Sequence, residues 1–285
     1  MPRNAALSVG AIAGKLIPFF APGTYRDAVR HLTIAFGNEK SSDEIRKIAR
    51  TSFIGLAMNF VDTARLQTMS PEEINSVCVT HNLERLQNYF SQGKGAIGLT
   101  SHGGCWELLG AFISLNGIPL SVIARKVYDN RFEKIIAETR EGKGVRNITR
   151  GQDTREIIRS LREGRLLGVL IDQDMKVRGD FVDFFGKPAH TATAPAGLSL
   201  KYGVPIFPIL TYMDDERQHH VCVGEEVKIE KTGDMEKDIL ALTAKCLKVN
   251  EMFIREHPGQ WVWFANRWKT QPKGISEIVE NEIKK

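Results

Sequence analysis

From residue 96 onward, apolar runs alternate with amphipathic stretches. Ala96–Thr100, Leu120–Ala124, Val145–Ile148, Leu166–Ile171 and Pro205–Tyr212 are too short for buried helices and read as strands. Between them, Trp106–Leu115, Arg131–Arg140, Thr154–Arg162 and Pro195–Lys201 carry helical spacing. This alternation predicts an α/β fold with a mostly parallel central sheet flanked by helices. His220–Val223 and Val227–Glu230 read as an antiparallel pair at a sheet edge, and Met235 to about Glu256 as a long helix. The first ninety residues read differently, as helices. Ile45, Ile48, Ala49, Phe53, Leu56, Phe60 and Ala64 recur at helical spacing behind Ser42-Asp43-Glu44. A serine cap with proline behind it, Ser70-Pro71, starts a second helix, and Leu83–Phe90 forms a third that stops at Gly93. The expected organisation is a helical N-terminal cap over residues 1–92 and an α/β core over residues 93–285, built as one continuous globular unit.

Composition narrows the class. A chain of 285 residues with 42% hydrophobic and 26% charged side chains needs neither metal nor disulfide to support its core, and it is not a disordered or coiled-coil sequence. Its net charge of +5 suits an anionic surface or an acidic partner but is too small to indicate nucleic acid. Cys78, Cys105, Cys222 and Cys246 form no C-x-x-C pair, which fits a reducing compartment and excludes a zinc ribbon. Ala5–Ala21 is apolar but interrupted by Lys15 and Pro18, so it reads as an interfacial segment or a packed helix, not as a span.

The candidate chemistry lies where the first apolar strand ends. In Thr100-Ser101-His102-Gly103-Gly104-Cys105-Trp106-Glu107, two glycines allow a tight turn and Glu107 falls in the first turn of the next helix. A carboxylate there can accept a hydrogen bond from Nδ1–H of His102 and fix the tautomer, leaving Nε2 as a base for a hydroxyl on the substrate. That is two-thirds of a triad, without a protein nucleophile. Cys105 as a nucleophilic thiol, a zinc site from His102, Cys105 and Glu107, and a plain loop histidine are the competing readings. Further on stand Asp172-Gln173-Asp174, Phe184-Phe185-Gly186-Lys187-Pro188 and Thr191-Ala192-Thr193-Ala194-Pro195. Asp172 and Asp174 can hold substrate hydroxyls or position a basic group, and Asp172 can equally cap a turn. Phe184, Phe185 and Gly186 offer a flat apolar wall for an acyl chain or a piece of core. Thr193 with Pro195 marks a helix start whose backbone donors can also face an oxyanion.

Taken in order, these segments resemble the bacterial lipid A acyltransferases, the late lauroyl and myristoyl transferases of the lysophospholipid acyltransferase superfamily with its H-x4-D/E motif. Leu32–Phe36, Gly93-Lys94-Gly95 before the motif strand, Gln260-Trp261-Val262-Trp263 and Arg267-Trp268-Lys269 extend the likeness over nearly the whole chain. The resemblance implies acyl transfer from an acyl carrier protein thioester to a hydroxyl of a lipid A precursor. His102 would be the base, with Glu107 orienting it, and there would be no acyl-enzyme. It implies Arg125 as a ligand for substrate phosphate, with Asp172, Gln173, Asp174, Phe184, Phe185, Gly186 and Thr193 around the substrate. No cofactor and no metal are implied, and the enzyme would sit peripherally on the cytoplasmic face of the inner membrane. The family usually has asparagine where Cys105 stands, and histidine and arginine are common where this chain has Phe264-Ala265-Asn266. A relative acylating another polar lipid, of phosphatidylinositol mannoside or lysophospholipid type, is the nearest alternative. That branch commonly has aspartate at the position of Glu107. A cysteine-dependent hydrolase and a lipid-binding protein without turnover stand further off.

Leu16, Ile17, Phe19 and Phe20, between Lys15 and Arg26, are expected either to dip into the headgroup boundary or to pack on the domain. A multiply acylated substrate stays in its bilayer, because each methylene exposed to water costs about 0.8 kcal/mol.

Overall fold

The computed structural model describes residues 1–124, 130–149 and 154–272. In chain order the elements are α1 (Arg3–Phe20), α2 (Pro22–Phe36), α3 (Ser42–Arg65), α4 (Pro71–Ser76), β1 (Cys78–His81), α5 (Leu83–Phe90) and β2 (Ala96–Thr100). There follow α6 (Trp106–Leu115), β3 (Leu120–Ala124), α7 (Asn130–Gly142), β4 (Arg146–Thr149), α8 (Thr154–Arg162) and β5 (Leu166–Leu170). The last part holds β6 (Gly179–Phe184), β7 (Lys187–Ala192), α9 (Ala194–Tyr202), β8 (Ile206–Met213), β9 (His219–Val223) and α10 (Met235–Glu256).

A seven-stranded sheet runs in the order β1-β9-β8-β2-β5-β3-β4, and β8 with β9 is its antiparallel pair. The mostly parallel sheet read from the apolar runs is therefore present, with helices on both faces. Side chains alternate between the two sides along each strand. Ile97, Leu99, Leu167, Val169 and Ile206 enter a core shared with α2, α3 and α10. Ala96, Leu166, Phe207 and Ile209 enter another under α4, α5 and α6. Burial on both sides is why these strands are apolar throughout.

Two expectations are corrected, and one motif takes a form that the sequence reading left open. Val227–Glu230 is not a strand: Gly224 N–H donates to Pro208 O and Val227 N–H to Ile206 O, and no ladder follows. The edge beyond β9 is closed instead by β1, inside the stretch read as helical, which pairs parallel with Cys78 opposite His219. The Phe184–Pro188 motif forms a hairpin. Phe184 pairs with Lys187, and Phe185 and Gly186 make a two-residue turn with φ of 56° and 71°. Positive φ at both central positions is the turn that matches strand twist, and a phenylalanine there is held by its packing.

The N-terminal helices join the core. Ser41 and Glu44 form a reciprocal cap at the start of α3, and Ser70 with Glu73 does the same for α4. Helix α1 crosses α3 so closely that a Cβ on Gly14 would come 2.6 Å from Ile54 Cα. Arg3 pins its start, donating to both carboxylate oxygens of the buried Asp62 at 3.0 and 2.6 Å, while His219 Nε2 meets Asp62 Oδ2 at 2.8 Å. No single described helix is long and apolar enough to cross a membrane, and α1 and α2 meet at a 93° bend.

Candidate active site

In parallel α/β sheets, reactive groups gather at the carboxyl ends of the strands. Strands β2 and β5 are neighbours, and their register sets Thr100 opposite Leu170. The residues two positions beyond each strand, His102 and Asp172, therefore emerge side by side although 70 positions separate them. His102 Nδ1 lies 2.8 Å from Asp172 Oδ1, and the His102 backbone N–H donates to Asp172 Oδ2 at 2.6 Å. A carboxylate can only accept, so Nδ1 carries the proton. Among the described residues Nε2 makes no hydrogen bond and is left with its lone pair. The His102 side chain is 23% exposed, whereas Asp172 is sealed. Trp106 stands edge-on to the imidazole, with ring centroids 5.4 Å apart.

The loop between strand and helix is tightly built. Gly104 has φ +61°, and a Cβ there would sit 2.3 Å from the carbonyl oxygen of Thr211, so only glycine fits. The segment after α10 runs alongside. Gly104 N–H donates to Gln260 O, Val262 N–H donates to His102 O, and Gly103 pairs with Trp261 as a β-bridge. Trp261 is buried, and its indole Nε1–H donates to Asp172 Oδ2 at 2.7 Å. Burial pushes the Asp172 carboxyl up, but the charge of His102 and the N–H groups of His102 and Trp261 outweigh it. The net effect holds Asp172 below the usual carboxylate range.

The carboxylate on His102 is thus Asp172, not Glu107. Glu107 does lie in the first turn of α6, but Arg140 of α7 takes it with two parallel bonds, Nε to Oε2 at 2.8 Å and Nη2 to Oε1 at 2.5 Å. A guanidinium fork matches a carboxylate better than a single imidazole N–H does, and it holds Glu107 against α7.

The remaining candidates divide. Asp174 accepts from the Thr270 backbone N–H at 2.6 Å and from its hydroxyl at 3.1 Å, so it ties down the chain after α10 rather than a substrate hydroxyl. Gln173, beside Asp172, is half-buried. Phe184 and Phe185 are buried, packed against Trp261, Trp263 and Trp268, and do not form an open wall. Gly186 is the turn residue next to them. Thr193 precedes α9 without capping it through its side chain. Arg125 lies outside the described residues. Arg267 is fully buried over the Phe184 ring, donating to His190 O and Thr191 Oγ1, and burial pulls it down to about 10.

Neither sharp alternative finds its geometry. Cys105 is 1% exposed and faces Thr63 Oγ1 at 3.4 Å, and burial pushes its thiol up to about 12, so it is not a thiolate at neutral pH. His102, Cys105 and Glu107 turn to three different partners and do not converge on a metal. Two surface depressions of about 390 and 370 Å³, one walled by Thr33, Phe185 and Lys187 and the other by Lys94, Arg162 and Tyr202, do not include His102.

Among the described residues, His102 rests on an orienting carboxylate with no activated nucleophile beside it. The sequence comparisons supply the family. Residues 1–270 match the family model of the bacterial lipid A biosynthesis acyltransferases, and the chain belongs to that family. It is 21% identical to a phosphatidylinositol mannoside acyltransferase of Mycolicibacterium smegmatis over 78% of this chain and 72% of that protein. It is 23% identical to a lipid A biosynthesis acyltransferase of Haemophilus influenzae over 67% of this chain and 59% of that protein. A phosphatidylinositol mannoside acyltransferase of Mycobacterium tuberculosis is 21% identical over 72% of this chain and 65% of its own length.

Proposed function

We propose that this protein carries a fatty acyl chain from an acyl carrier protein thioester to a hydroxyl of a lipid A precursor, with His102 as general base. The observation that carries the reading is the pair His102–Asp172 at 2.8 Å, which leaves Nε2 without a hydrogen bond among the described residues, on a side chain that is 23% exposed. Nε2 takes the proton of the acceptor hydroxyl as its oxygen attacks the thioester carbonyl. Asp172 holds the imidazolium that forms. The tetrahedral intermediate expels the thiolate, which recovers the proton from His102, and the acyl chain ends as an ester on the acceptor. No acyl-enzyme is needed, consistent with the buried thiol of Cys105.

The acceptor is a membrane lipid, and the N-terminal helices carry a surface suited to meeting it. Phe19 and Phe20 are 79% and 83% exposed, with Val9, Ile12 and Leu16 along the same helix and Phe60 on α3. Ile17, by contrast, packs on the core. We assign this apolar face to the headgroup boundary of the cytoplasmic side of the inner membrane, as a peripheral attachment. The net charge of +5 favours both an anionic bilayer and an acidic carrier protein.

A phosphatidylinositol mannoside acceptor is the second reading, favoured by the mycobacterial relatives. The test is incubation of the purified protein with acyl carrier thioesters and each acceptor lipid, with products weighed by mass spectrometry. The proposal expects one acyl increment on the lipid A precursor. An increment on the mannoside alone replaces the acceptor, and no increment on any lipid removes the activity.

A further inference from the structure

A buried carboxylate next to an imidazole needs more than the imidazole to hold it. Its second oxygen must find donors, or the group takes a proton and the histidine loses its partner. Asp172 is 0% exposed. One of the donors on Oδ2 is the His102 backbone N–H, which comes with the loop. The other arrives from 89 positions away, the Trp261 indole at 2.7 Å.

We propose that Trp261 is a positioning residue: with the His102 backbone N–H it locks Oδ2 of Asp172, so that Oδ1 alone faces Nδ1 of His102 and the base keeps its tautomer. The segment carrying it is anchored for the task. Gln260 O and Val262 N–H bracket Trp261 and bond to Gly104 and His102, so the strap that delivers the indole also grips the catalytic loop. Trp263 Nε1–H is spent on Pro258 O at 2.7 Å, which leaves Trp261 as the tryptophan of this segment that reaches the site. Among the described residues, the charged groups acting on Asp172 are His102 from the loop after β2 and, from the chain after α10, Arg267, whose guanidinium feels both Asp172 and Asp174.

This role rests on the general-base reading, and the experiment separates the two. Trp261 is replaced by phenylalanine and, to keep the ring shape, by the benzothienyl analogue of tryptophan, which lacks the N–H. Each is made alone and combined with Asp172→Asn. Turnover is measured against pH with KM for both substrates, and the tautomer of His102 is read from its ¹⁵N shifts. Loss of a hydrogen bond to a charged group predicts that kcat falls about ten- to a hundredfold with KM unchanged. The acid limb should move to higher pH, because Asp172 loses a donor that helps hold its carboxyl down. Changing Trp261 in the Asp172→Asn protein should add less than about threefold, since the two act as one unit. The Nδ1–H tautomer should be dominant in the wild type and mixed in both Trp261 variants. An analogue protein with unchanged tautomer and acid limb, or losses that multiply in the double variant, overturns the role. If the wild type transfers no acyl chain, the acyl-transfer reading fails, while the tautomer shifts still decide for or against Trp261.

Discussion

Replacing Asp172 by asparagine changes little volume and tests the dyad directly. Oδ2 accepts two N–H groups and Oδ1 one, so a carboxamide cannot satisfy all three donors. With its NH₂ at the Oδ2 position, it would meet the Trp261 and His102 N–H groups donor to donor. With its NH₂ at the Oδ1 position, it must donate to Nδ1, and the imidazole proton moves to Nε2, where it blocks the base. The second arrangement leaves fewer donors unsatisfied and is the one expected. The charge is also lost. An ion pair about 4 Å apart is worth roughly 4 kcal/mol at an effective dielectric of about 20. At about 1.4 kcal/mol per decade this is close to three orders of magnitude in kcat. The assay is release of carrier thiol in the presence of acceptor lipid, followed with a thiol reagent, for Asp172→Asn and Glu107→Gln in parallel. Asp172→Asn should lose about a thousandfold in kcat with KM nearly unchanged. Glu107→Gln, whose carboxylate serves Arg140, should lose less than about tenfold and show its effect mainly as a lower Tm. A Glu107→Gln protein as inactive as His102→Ala, with Asp172→Asn still turning over, would instead make Glu107 the carboxylate that serves His102.

Acid stability follows from two buried carboxylates. Asp62 and Asp172 are both pushed up by burial, yet both end below the usual range, Asp62 through His219 and Arg3 and Asp172 through His102 and Trp261. A depressed folded-state pKa means stability that is complete above the unfolded value of about 4 and is lost as the pH falls through the lower folded value. Calorimetry should show Tm dropping steeply below about pH 4, with a shallower drop for Asp62→Asn; a wild-type Tm flat through that window contradicts the linkage. At the N-terminus, Phe19→Ser with Phe20→Ser should weaken binding to anionic vesicles by at least about tenfold, since each phenylalanine buried in lipid contributes about 1.5–3 kcal/mol. Tm should hardly move, because both rings are exposed in the folded protein. Unchanged vesicle flotation would remove this face from the membrane.

The strands and helices of the core were legible because parallel strands covered on both faces are apolar throughout, as Ala96–Thr100 and Leu166–Leu170 are. The histidine was legible for the same reason: it follows such a strand on a glycine loop. Its partner was not. Glu107 is close in sequence, but the pairing of His102 with Asp172 depends on β2 lying beside β5 with Thr100 opposite Leu170, and a single sequence carries no signal of strand order or register. Two apolar runs each followed two positions later by a polar residue, Thr100-Ser101-His102 and Leu170-Ile171-Asp172, were the available hint. The Phe184-Phe185 pair is core, one of the two roles its sequence allowed, but its hairpin was not legible, because a phenylalanine at positive φ breaks the usual turn chemistry and packing against Trp261, Trp263 and Trp268 overrides it. Strand β1 escaped notice because its four residues, largely exposed, lack any alternation.

On the proposed mechanism, Nε2 of His102 activates the acceptor's own hydroxyl. A single-turnover measurement of thiol release, with and without acceptor lipid, in the wild type and in His102→Ala tests it most directly. Release should need the acceptor and vanish in His102→Ala, while carrier binding is kept. Release that proceeds without acceptor, or that survives intact without the imidazole, would contradict it.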